Sequence, residues 1–409
     1  MLKKVARIIL PKWMLRQMKK VRLYSYRIKN GLKLINTSFD YTKIGEKGTD
    51  TFFGYYDITP FNSKNEIVYL EVPKGEKYAN IVWNDISGKN KRIITITHAF
   101  NTQQGCRLRW YPSSDDTIIF NDYIEGKYVC RKINIRKNEE IIIPYPIYDI
   151  SCDGRFGLTL NFERLGVLRP GYGYTNRLYV PEKDLSSESI SIIDMQSFKC
   201  TPIIKYEDIG RVLGEKENNY ENNYINHLSF SPNGDKFLFF WLKNETNWAQ
   251  ANLLQYNLNS KKIEVLEKEL RVSHYTWLDN DTIICTAISG SSINDMKCRY
   301  YEYQVGKERK IIGQNILLRD GHPTLYKNKY IITDTYPDIY SYQTLFFYNI
   351  ENDEVVKIVY SYSVPVRDEV FRTDMHPRFN IDKSIICYDA NVEGERRLFL
   401  IKNWNNAIN

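Results

Sequence analysis

Four of the five histidines in this 409-residue chain occupy matching positions in similar segments. The segments are HLSFSPNGDKFLFF from His227, HYTWLDNDTIICT from His274, HPTLYKNKYIITD from His322 and HPRFNIDKSIICY from His376. The intervals between these histidines are 47, 48 and 54 residues. Histidine is the commonest protein ligand of transition metals and the side chain that titrates near neutral pH. A fold that brings the four imidazoles together would therefore build a metal site or an acid–base site.

These segments belong to a longer repeat. Three earlier segments fit the same frame and begin at Tyr55, Arg107 and Ile147, which gives seven units. In each unit, short apolar and aromatic runs alternate with turns rich in Asn, Asp and Gly, a pattern typical of β-strands. Four such strands in a unit of about 40–50 residues indicate a propeller blade. We predict an all-β fold, a seven-bladed β-propeller, whose last blade takes its fourth strand from the N-terminal run KLINTSFDYTKI.

The repeat also predicts how the chain is divided. Residues 37–409 form the propeller, and residues 1–36 form a short, basic, helical N-terminal extension. The third and fourth units begin 80 residues apart, at Ile147 and His227. This long interval predicts an insertion in blade 3, at about residues 161–186, that follows the second strand and covers the face on which that strand ends.

The first strand of each blade lines the axis of a propeller, so equivalent residues of neighbouring blades converge on one ring. Three interpretations of a ring of four histidines stay open. The first is a site for a divalent metal such as Mn or Zn, with carboxylates around it. The second is acid–base catalysis, and the third is a set of polar residues that satisfy buried backbone. The second strands end on the same face with the polar residues Glu71, Asp122, Asn161, Asp334 and Asp389.

The blade 3 insertion adds arginines and tyrosines to this face. Arginine pairs with carboxylates through two hydrogen bonds, and loops on a rigid scaffold often hold functional residues. Arginine, tyrosine and histidine around one funnel suit an acidic sugar, because neutralising a uronate carboxylate acidifies the neighbouring carbon and permits β-elimination. The alternative is a plain cap. The predicted catalytic residues are Arg107, Arg164, Tyr172, Tyr174 and His227. The predicted substrate-binding residues are Tyr55, Arg169, Asp334 and Asp389.

The repeat resembles a known family. SFSPNGDKFLFF and HPRFNIDKSIICYDA resemble the TolB-like propeller repeat, and DGHPT…TDTYPD together with MHPRF is similar to the oligogalacturonate lyases, seven-bladed polysaccharide lyases. The resemblance covers about residues 50–402. It implies a central metal held mainly by histidines, with arginine and histidine acting on a uronate. By matching motif it makes His274, His322 and His376 the metal ligands.

The N-terminal extension differs sharply in charge from the rest of the chain. Its 36 residues contain eleven Lys or Arg and no acidic residue, whereas the remainder has 46 basic and 49 acidic residues. A nucleic-acid partner is therefore not expected. A basic segment that also contains Ile, Leu, Trp and Met suits the surface of an anionic membrane. The alternative is a solvated basic arm.

Cysteine usage and the N-terminal segment predict the compartment. The seven cysteines form no CxxC pair and several lie in apolar runs, which favours free thiols in a reducing compartment. The longest uncharged apolar run of the extension, IIL, is too short for a signal peptide. We expect a cytoplasmic protein, with peripheral association at the inner membrane as a further expectation.

The leading functional hypothesis is a carbohydrate-active enzyme that cleaves an acidic, uronate-containing polysaccharide by metal-assisted β-elimination. Two alternatives stay open. The first is a membrane-associated glycosyltransferase or another enzyme of capsule or lipopolysaccharide assembly, which the basic N-terminus favours. The second is a non-catalytic propeller that binds a glycan or a protein.

Overall fold

The computed structural model describes residues 11–180, 188–215, 220–244, 250–290, 296–366 and 368–404. Within these ranges the chain forms seven antiparallel sheets arranged as the blades of a propeller. The predicted seven-bladed β-propeller is confirmed. Blades 1 to 5 are each built from four consecutive strands, because turns rich in Asn, Asp and Gly separate apolar runs that are long enough for one strand each.

The strands are numbered in chain order, and those of each blade are given from the innermost outward. Blades 1 to 4 contain, in turn, β3 Thr49–Phe52, β4 Ile67–Pro73, β5 Ala79–Asn84 and β6 Arg92–Thr97; β7 Arg109–Trp110, β8 Thr117–Ile124, β9 Lys127–Asn134 and β10 Glu139–Ile143; β11 Asp149–Ile150, β12 Phe156–Thr159, β13 Ser189–Asp194 and β14 Cys200–Lys205; β15 Asn223–Phe230, β16 Lys236–Lys243, β17 Gln250–Asn257 and β18 Lys262–Glu267. Blades 5 to 7 contain, in turn, β19 Arg271–Trp277, β20 Thr282–Ser289, β21 Lys297–Gln304 and β22 Lys310–Ile312; β23 Thr324–Tyr326, β24 Tyr330–Asp334, β25 Tyr342–Asn349 and β26 Val355–Tyr362; β27 Arg378–Phe379, β28 Ile385–Asn391 and β29 Arg396–Lys402.

Two N-terminal strands complete the last two blades. The strand β2, Tyr41–Ile44, pairs with β29 and supplies the fourth strand of blade 7, so the predicted ring closure is confirmed. The strand β1, Ile35–Asn36, pairs with β26 and adds a fifth strand to blade 6, which the repeat did not indicate. The last residues of the predicted extension therefore belong to the sheet of blade 6.

The hydrophobic core lies between successive blades rather than in one central mass. Val68 of blade 1 and Ile118 of blade 2 belong to one buried cluster, and Phe240 of blade 4 and Tyr301 of blade 5 belong to another. Sheets packed face to face in this way bury the residues of both facing surfaces. The apolar residues are therefore buried between the blades, and polar and aromatic residues of the innermost strands line the central axis.

Among the described residues, three α-helices lie in connections between strands or before them. They are α1 Lys12–Lys29, α2 Phe162–Leu168 and α3 Tyr206–Leu213, and a 3₁₀ turn spans Glu369–Phe371. No helix in the described ranges is both long enough and apolar enough to cross a bilayer. We call the face on which second strands end and third strands begin the upper face. The connections from β12 to β13, from β14 to β15 and from β26 to β27 all lie on it.

The long third interval is divided between two of these connections. The side chain of Asn161 caps α2 by accepting hydrogen bonds from the amides of Glu163 and Arg164, and this helix lies between β12 and β13. The helix α3 lies between β14 and β15, outside the predicted insertion. Residues 181–186 of that insertion and residues 1–10 of the extension lie outside the described residues.

Candidate active site

Two of the histidines, His227 and His274, lie at register shifts within their innermost strands, whereas His322 and His376 lie two residues before the innermost strands of their blades. The pairing of β15 with β16 shifts between Asn226 and Ser229, and His227 lies within this bulge with a φ of 55°. Arg107 and His376, at the same repeat position, have φ values of 55° and 46°. A left-handed conformation costs a non-glycine residue about 1–2 kcal/mol, so surrounding contacts must hold it. Bulges of this kind redirect a side chain, here out of the regular pleat.

The four imidazoles lie around one tyrosine. The ring centroids of His274 and His322 are 4.1 Å apart, those of His322 and His376 are 4.4 Å apart, and those of His227 and His274 are 6.5 Å apart. The ring of Tyr55 lies 4.8 Å from that of His376, and its hydroxyl lies 3.4 Å from Nε2 of His227. The propeller has thus brought together residues that are about 50 positions apart in the chain.

The carboxylate of Asp334 fixes the orientation of His322. Nδ1 of His322 donates to one oxygen at 2.8 Å, and the backbone amide of His322 donates to the same oxygen at 2.8 Å. The other oxygen accepts from the amides of Met375 at 3.0 Å and His376 at 3.2 Å. One buried carboxylate therefore joins two neighbouring blades and points Nε2 of His322 away from itself. Metal-binding histidines are commonly held in this way.

The other two predicted metal ligands are held through Nδ1 as well. Nδ1 of His274 lies 3.0 Å from a carboxylate oxygen of Asp320. Nδ1 of His376 donates to the carbonyl oxygen of Gly54 at 3.0 Å. Because a carbonyl can only accept, this contact fixes the proton on Nδ1 and leaves the lone pair on Nε2.

Two of these Nε2 atoms are suited to bind a metal. Those of His322 and His376 are buried and have no hydrogen-bond partner among the described residues. One ligand atom from each of His322, His376 and Asp374 lies within 4.8 Å of the other two. Two imidazoles and a carboxylate form a donor set that divalent Mn or Zn accepts. The residues therefore fit a metal, while His274 stands outside this group of three.

Burial and neighbouring charges set the protonation of the ring. Burial and the positive charge that His322 can take lower the pKa of His376 well below its ordinary value. Burial, and the charges of His274 and Arg107, do the same to the pKa of His227. Burial alone would lower the pKa of His322, but the nearby carboxylates, chiefly that of Asp334, raise it. The imidazoles of His227 and His376 are therefore neutral at pH 7, and the neutral form is the one that binds a metal or accepts a proton.

A cleft beside the ring is lined by arginines and tyrosines. It opens next to His227 and His274 and is bordered by Arg169, Arg271 and Tyr336, among others. Burial and the positive charge of Arg169 lower the pKa of Arg271, because two cationic side chains lie close together at this border of the cleft.

Arg372 connects this cleft to the candidate metal ligands. Its Nε donates to both carboxylate oxygens of Asp374, at 2.9 and 3.1 Å, and its Nη2 donates to the hydroxyl of Tyr172 at 3.2 Å. The guanidinium also lies 5.3 Å from the ring centroid of Tyr336. Arg169 lies over the ring of Tyr172 at 5.0 Å. Of the predicted residues, the cleft therefore contains Tyr55, Arg169, Tyr172, His227 and His274.

Two predicted catalytic residues of the insertion have structural partners instead. The buried guanidinium of Arg164 donates to the backbone carbonyls of Asn223, at 2.7 Å, and Tyr220, at 2.5 Å. Tyr174 stacks on Phe162, with ring centroids 4.6 Å apart, and its hydroxyl accepts a hydrogen bond from a buried asparagine. Both residues fix the insertion to the propeller and neither borders the cleft.

Two further predicted residues also form ion pairs away from the cleft. Arg107 makes a two-point contact with Asp57, at 2.8 and 3.2 Å. Asp389 lies between Arg378, at 3.2 Å, and Arg396, at 2.5 Å. Asp334 is in the site, but it contacts His322 rather than the cleft, so its position is that of a residue that orients a ligand.

Sequence reasoning missed two acidic residues that a short motif could have identified. Asp320 and Asp374 each precede a histidine by two residues, in DGHP and DMHP. Both carboxylates face an imidazole, since Asp320 contacts His274 and Asp374 lies with His322. The residue between Asp320 and His322 is Gly321. A larger residue would not fit there, because its Cβ would lie 2.0 Å from the carbonyl oxygen of Asp334. The spacing D-x-H-P was the available signal.

No known family model matches the chain, and no curated protein matches it in sequence. Solved structures do match in fold. An oligogalacturonate lyase in complex with manganese matches with a TM-score of 0.67 and 12% identity over 91% of this chain and 96% of that chain. An oligogalacturonate lyase from Vibrio parahaemolyticus matches with a TM-score of 0.64 and 9% identity over 91% of this chain and 97% of that chain.

A more distant match shows how widely the architecture occurs. An acylaminoacyl peptidase matches with a TM-score of 0.51 and 11% identity, over 88% of this chain and 53% of that chain. At these identities the likeness concerns the fold. It is nevertheless almost complete in length for the two lyases, so the resemblance that the repeat indicated is confirmed at the level of architecture. The chain is a seven-bladed β-propeller with the fold of the oligogalacturonate lyases.

Proposed function

We propose that this protein is an enzyme that cleaves a uronate-containing glycan by β-elimination, with the help of a divalent metal. One observation supports this most directly. The unpartnered, buried Nε2 atoms of His322 and His376 lie beside Asp374, and Arg372 connects that group to a cleft lined by arginines. Such a site combines a metal-binding donor set with a surface for an anion.

The metal would be held by His322, His376 and Asp374, and Mn or Zn suits these donors. When bound, it supplies positive charge that neutralises a substrate carboxylate and so acidifies the proton on the adjacent carbon. The likeness in fold to a lyase in complex with manganese supports this assignment. Asp334 orients His322 for that role through Nδ1.

The arginines are the groups that bind the substrate. A uronate carboxylate beside Arg169 and Arg271 would gain charge-assisted hydrogen bonds, which are about twice as strong as neutral ones. Arg372 is already bonded to Asp374 and Tyr172, so it positions these two side chains at the edge of the cleft. The aromatic rings of Tyr172 and Tyr336 offer apolar surface to a sugar ring.

His227 is the residue that we assign as general base. Burial lowers the pKa of its imidazole, which is therefore neutral at pH 7, and its backbone amide is fixed by the hydroxyl of Tyr148 at 3.0 Å. It takes the proton from the carbon that bears the carboxylate. The released electron pair forms a carbon–carbon double bond, the glycosidic C–O bond breaks, and the departing sugar oxygen takes a proton.

The test is incubation of the purified protein, with added Mn²⁺, with a panel of uronate polymers. Elimination creates a conjugated unsaturated product, so ultraviolet absorbance should rise together with the number of reducing ends. His227→Gln should slow this rise by about 10²-fold or more. His98→Gln, which changes the one histidine outside the ring, should not slow it.

Other outcomes would contradict the proposal. Reducing ends without the ultraviolet signal would indicate hydrolysis, which requires two facing carboxylates. Polymer binding without cleavage would favour a non-catalytic propeller. Turnover that depends on a nucleotide sugar would favour the transferase alternative.

A further inference from the structure

The helix α1 has an apolar face that the propeller does not cover. Successive residues of a helix are about 100° apart, so residues spaced by three, four, seven and eight positions share one face. The large apolar side chains of α1 that are more than half exposed are Trp13, Met18, Val21, Tyr24 and Ile28. They fall within an arc of about 140°. A stripe of large apolar side chains that is exposed to solvent indicates a binding site.

The opposite face of α1 is fixed to blade 6. Leu23 is buried, and the ring of Tyr26 stacks on that of Tyr340 with centroids 3.4 Å apart. Arg22 donates to the carbonyl oxygen of Ile339 at 3.3 Å. After the helix, the hydroxyl of Tyr342 donates to the carbonyl oxygen of residue 33 and β1 joins the sheet. The stripe is therefore held in a defined position on the propeller.

The charge around the stripe identifies what it binds. The helix contains seven Lys or Arg and no acidic residue. Lys20 borders the stripe on one side and Lys29 on the other, and both are exposed. A protein partner would need its own acidic rim to match this surface, whereas an anionic bilayer offers negative headgroups above an apolar interior. Tyrosine and tryptophan side chains prefer that boundary.

The loop under α1 also forms part of the candidate active site. Residues 335–341 connect β24 to β25 on the upper face. Tyr336, near the start of this loop, borders the cleft, and Tyr340, four residues later, stacks on α1. Ile339 is 68% exposed between them. The helix and the cleft therefore lie on the same face of the propeller.

We propose that α1 is a membrane-surface anchor that binds anionic phospholipid through its apolar stripe and flanking lysines, and that it places the upper face of the propeller next to the bilayer. The anchoring role itself is independent of the catalytic proposal. Combined with that proposal, on which this step rests, it implies that the glycan which reaches the cleft is attached to, or assembled at, a membrane surface.

The experiment is co-sedimentation of the full chain with vesicles, which requires no catalytic activity. The protein should bind vesicles of phosphatidylglycerol and phosphatidylcholine at low salt, and bind pure phosphatidylcholine much more weakly. The double variants Lys20→Glu/Lys29→Glu and Val21→Ser/Ile28→Ser should each weaken binding about tenfold or more. All four side chains are exposed, so circular dichroism should be unchanged.

Matched controls come from blades that lie away from α1. Lys137→Glu/Lys262→Glu makes the same change of charge in the turn between β9 and β10 and at the exposed first residue of β18. Ile141→Ser/Ile142→Ser removes two exposed aliphatic side chains from β10. Both controls should bind like the unmodified chain. Equal binding to neutral vesicles, or α1 variants that bind as well as the controls, would overturn the proposal. A third outcome would also overturn it: the unmodified chain binds no vesicles and forms a dimer, and Val21→Ser/Ile28→Ser dissociates that dimer. A second copy of the chain would then cover the stripe.

Discussion

Nδ1 of His322 lies 2.8 Å from a carboxylate oxygen of Asp334, and the same oxygen accepts a hydrogen bond from the backbone amide of His322. We expect Asp334→Asn to weaken Mn²⁺ binding about 10–100-fold, the usual effect of losing a group that orients a metal ligand. The amide nitrogen of asparagine would face backbone N–H groups, so the free energy of unfolding should fall as well. Calorimetric titration with Mn²⁺ and chemical denaturation measure the two effects.

The matched control is Asp389→Asn. Asp389 is also a buried aspartate in the second strand of its blade, but it contacts Arg378 and Arg396 instead of a histidine. The Asp389→Asn substitution should lower the free energy of unfolding, because a buried ion pair is lost, and it should leave the affinity for Mn²⁺ unchanged. An equal loss of affinity in both variants would indicate a general loss of structure and contradict the specific role of Asp334.

Removal of a proposed ligand should abolish stabilisation by metal. A metal that binds only the folded chain stabilises it by about 2.7 kcal/mol at a concentration 100 times its Kd. The Tm of the unmodified chain should therefore rise when Mn²⁺ is added and return to its metal-free value when a chelator is added. His376→Ala and Asp374→Ala should lose this shift, and His98→Ala should keep it. A shift that survives in the first two variants would place the metal elsewhere.

Arg169→Ala should raise KM for a uronate polymer with little change in kcat. A hydrogen bond to a charged group contributes about 1.5–3 kcal/mol, equivalent to roughly 10–100-fold in affinity. Arg177→Ala is the control, because Arg177 belongs to the same insertion but pairs with Glu163 and is largely exposed. The effect of Arg169→Ala should diminish on a polymer whose carboxyl groups have been reduced. An unchanged KM would exclude Arg169 from substrate binding.

His227→Gln separates proton transfer from metal binding. We expect kcat to fall about 10²–10⁴-fold, the usual contribution of a general base. Metal content should stay unchanged, because the ring of His227 lies 6.5 Å from that of His274 and outside the group formed by His322, Asp374 and His376. Steady-state kinetics and elemental analysis test both statements, and a parallel loss of metal would make His227 a ligand instead.

The sequence was sufficient to predict the architecture because the same strand pattern occurs in seven units. Each unit offered its own strand pattern and turns, so errors in one unit did not affect the count. The strand β1 was missed because two residues, Ile35 and Asn36, hold no periodic signal, and only the finished edge of β26 makes them a strand. The helix α3 was missed because its eight residues, Tyr206–Leu213, follow directly on β14.

The predictions for the site were less complete, for a physical reason. Repeat position determines where a backbone lies, but the direction of a side chain depends on local irregularities such as the bulge at His227. Arg164 and Tyr174 have residue types that suit catalysis, yet backbone carbonyls hold the first and an aromatic neighbour packs against the second. Asp374 lies two residues before His376, and only this spacing distinguishes it from other acidic residues.

The pairing of β1 with β26 and of β2 with β29 has a consequence for synthesis. The first strands to leave the ribosome must wait for partners that are made more than 300 residues later, at Tyr360 and Ile401. Until then α1 lacks the loop on which it docks. The basic segment of α1 therefore stays without its docking loop for most of translation, and the orientation at a membrane that we propose for the propeller can be set only when the last two blades emerge.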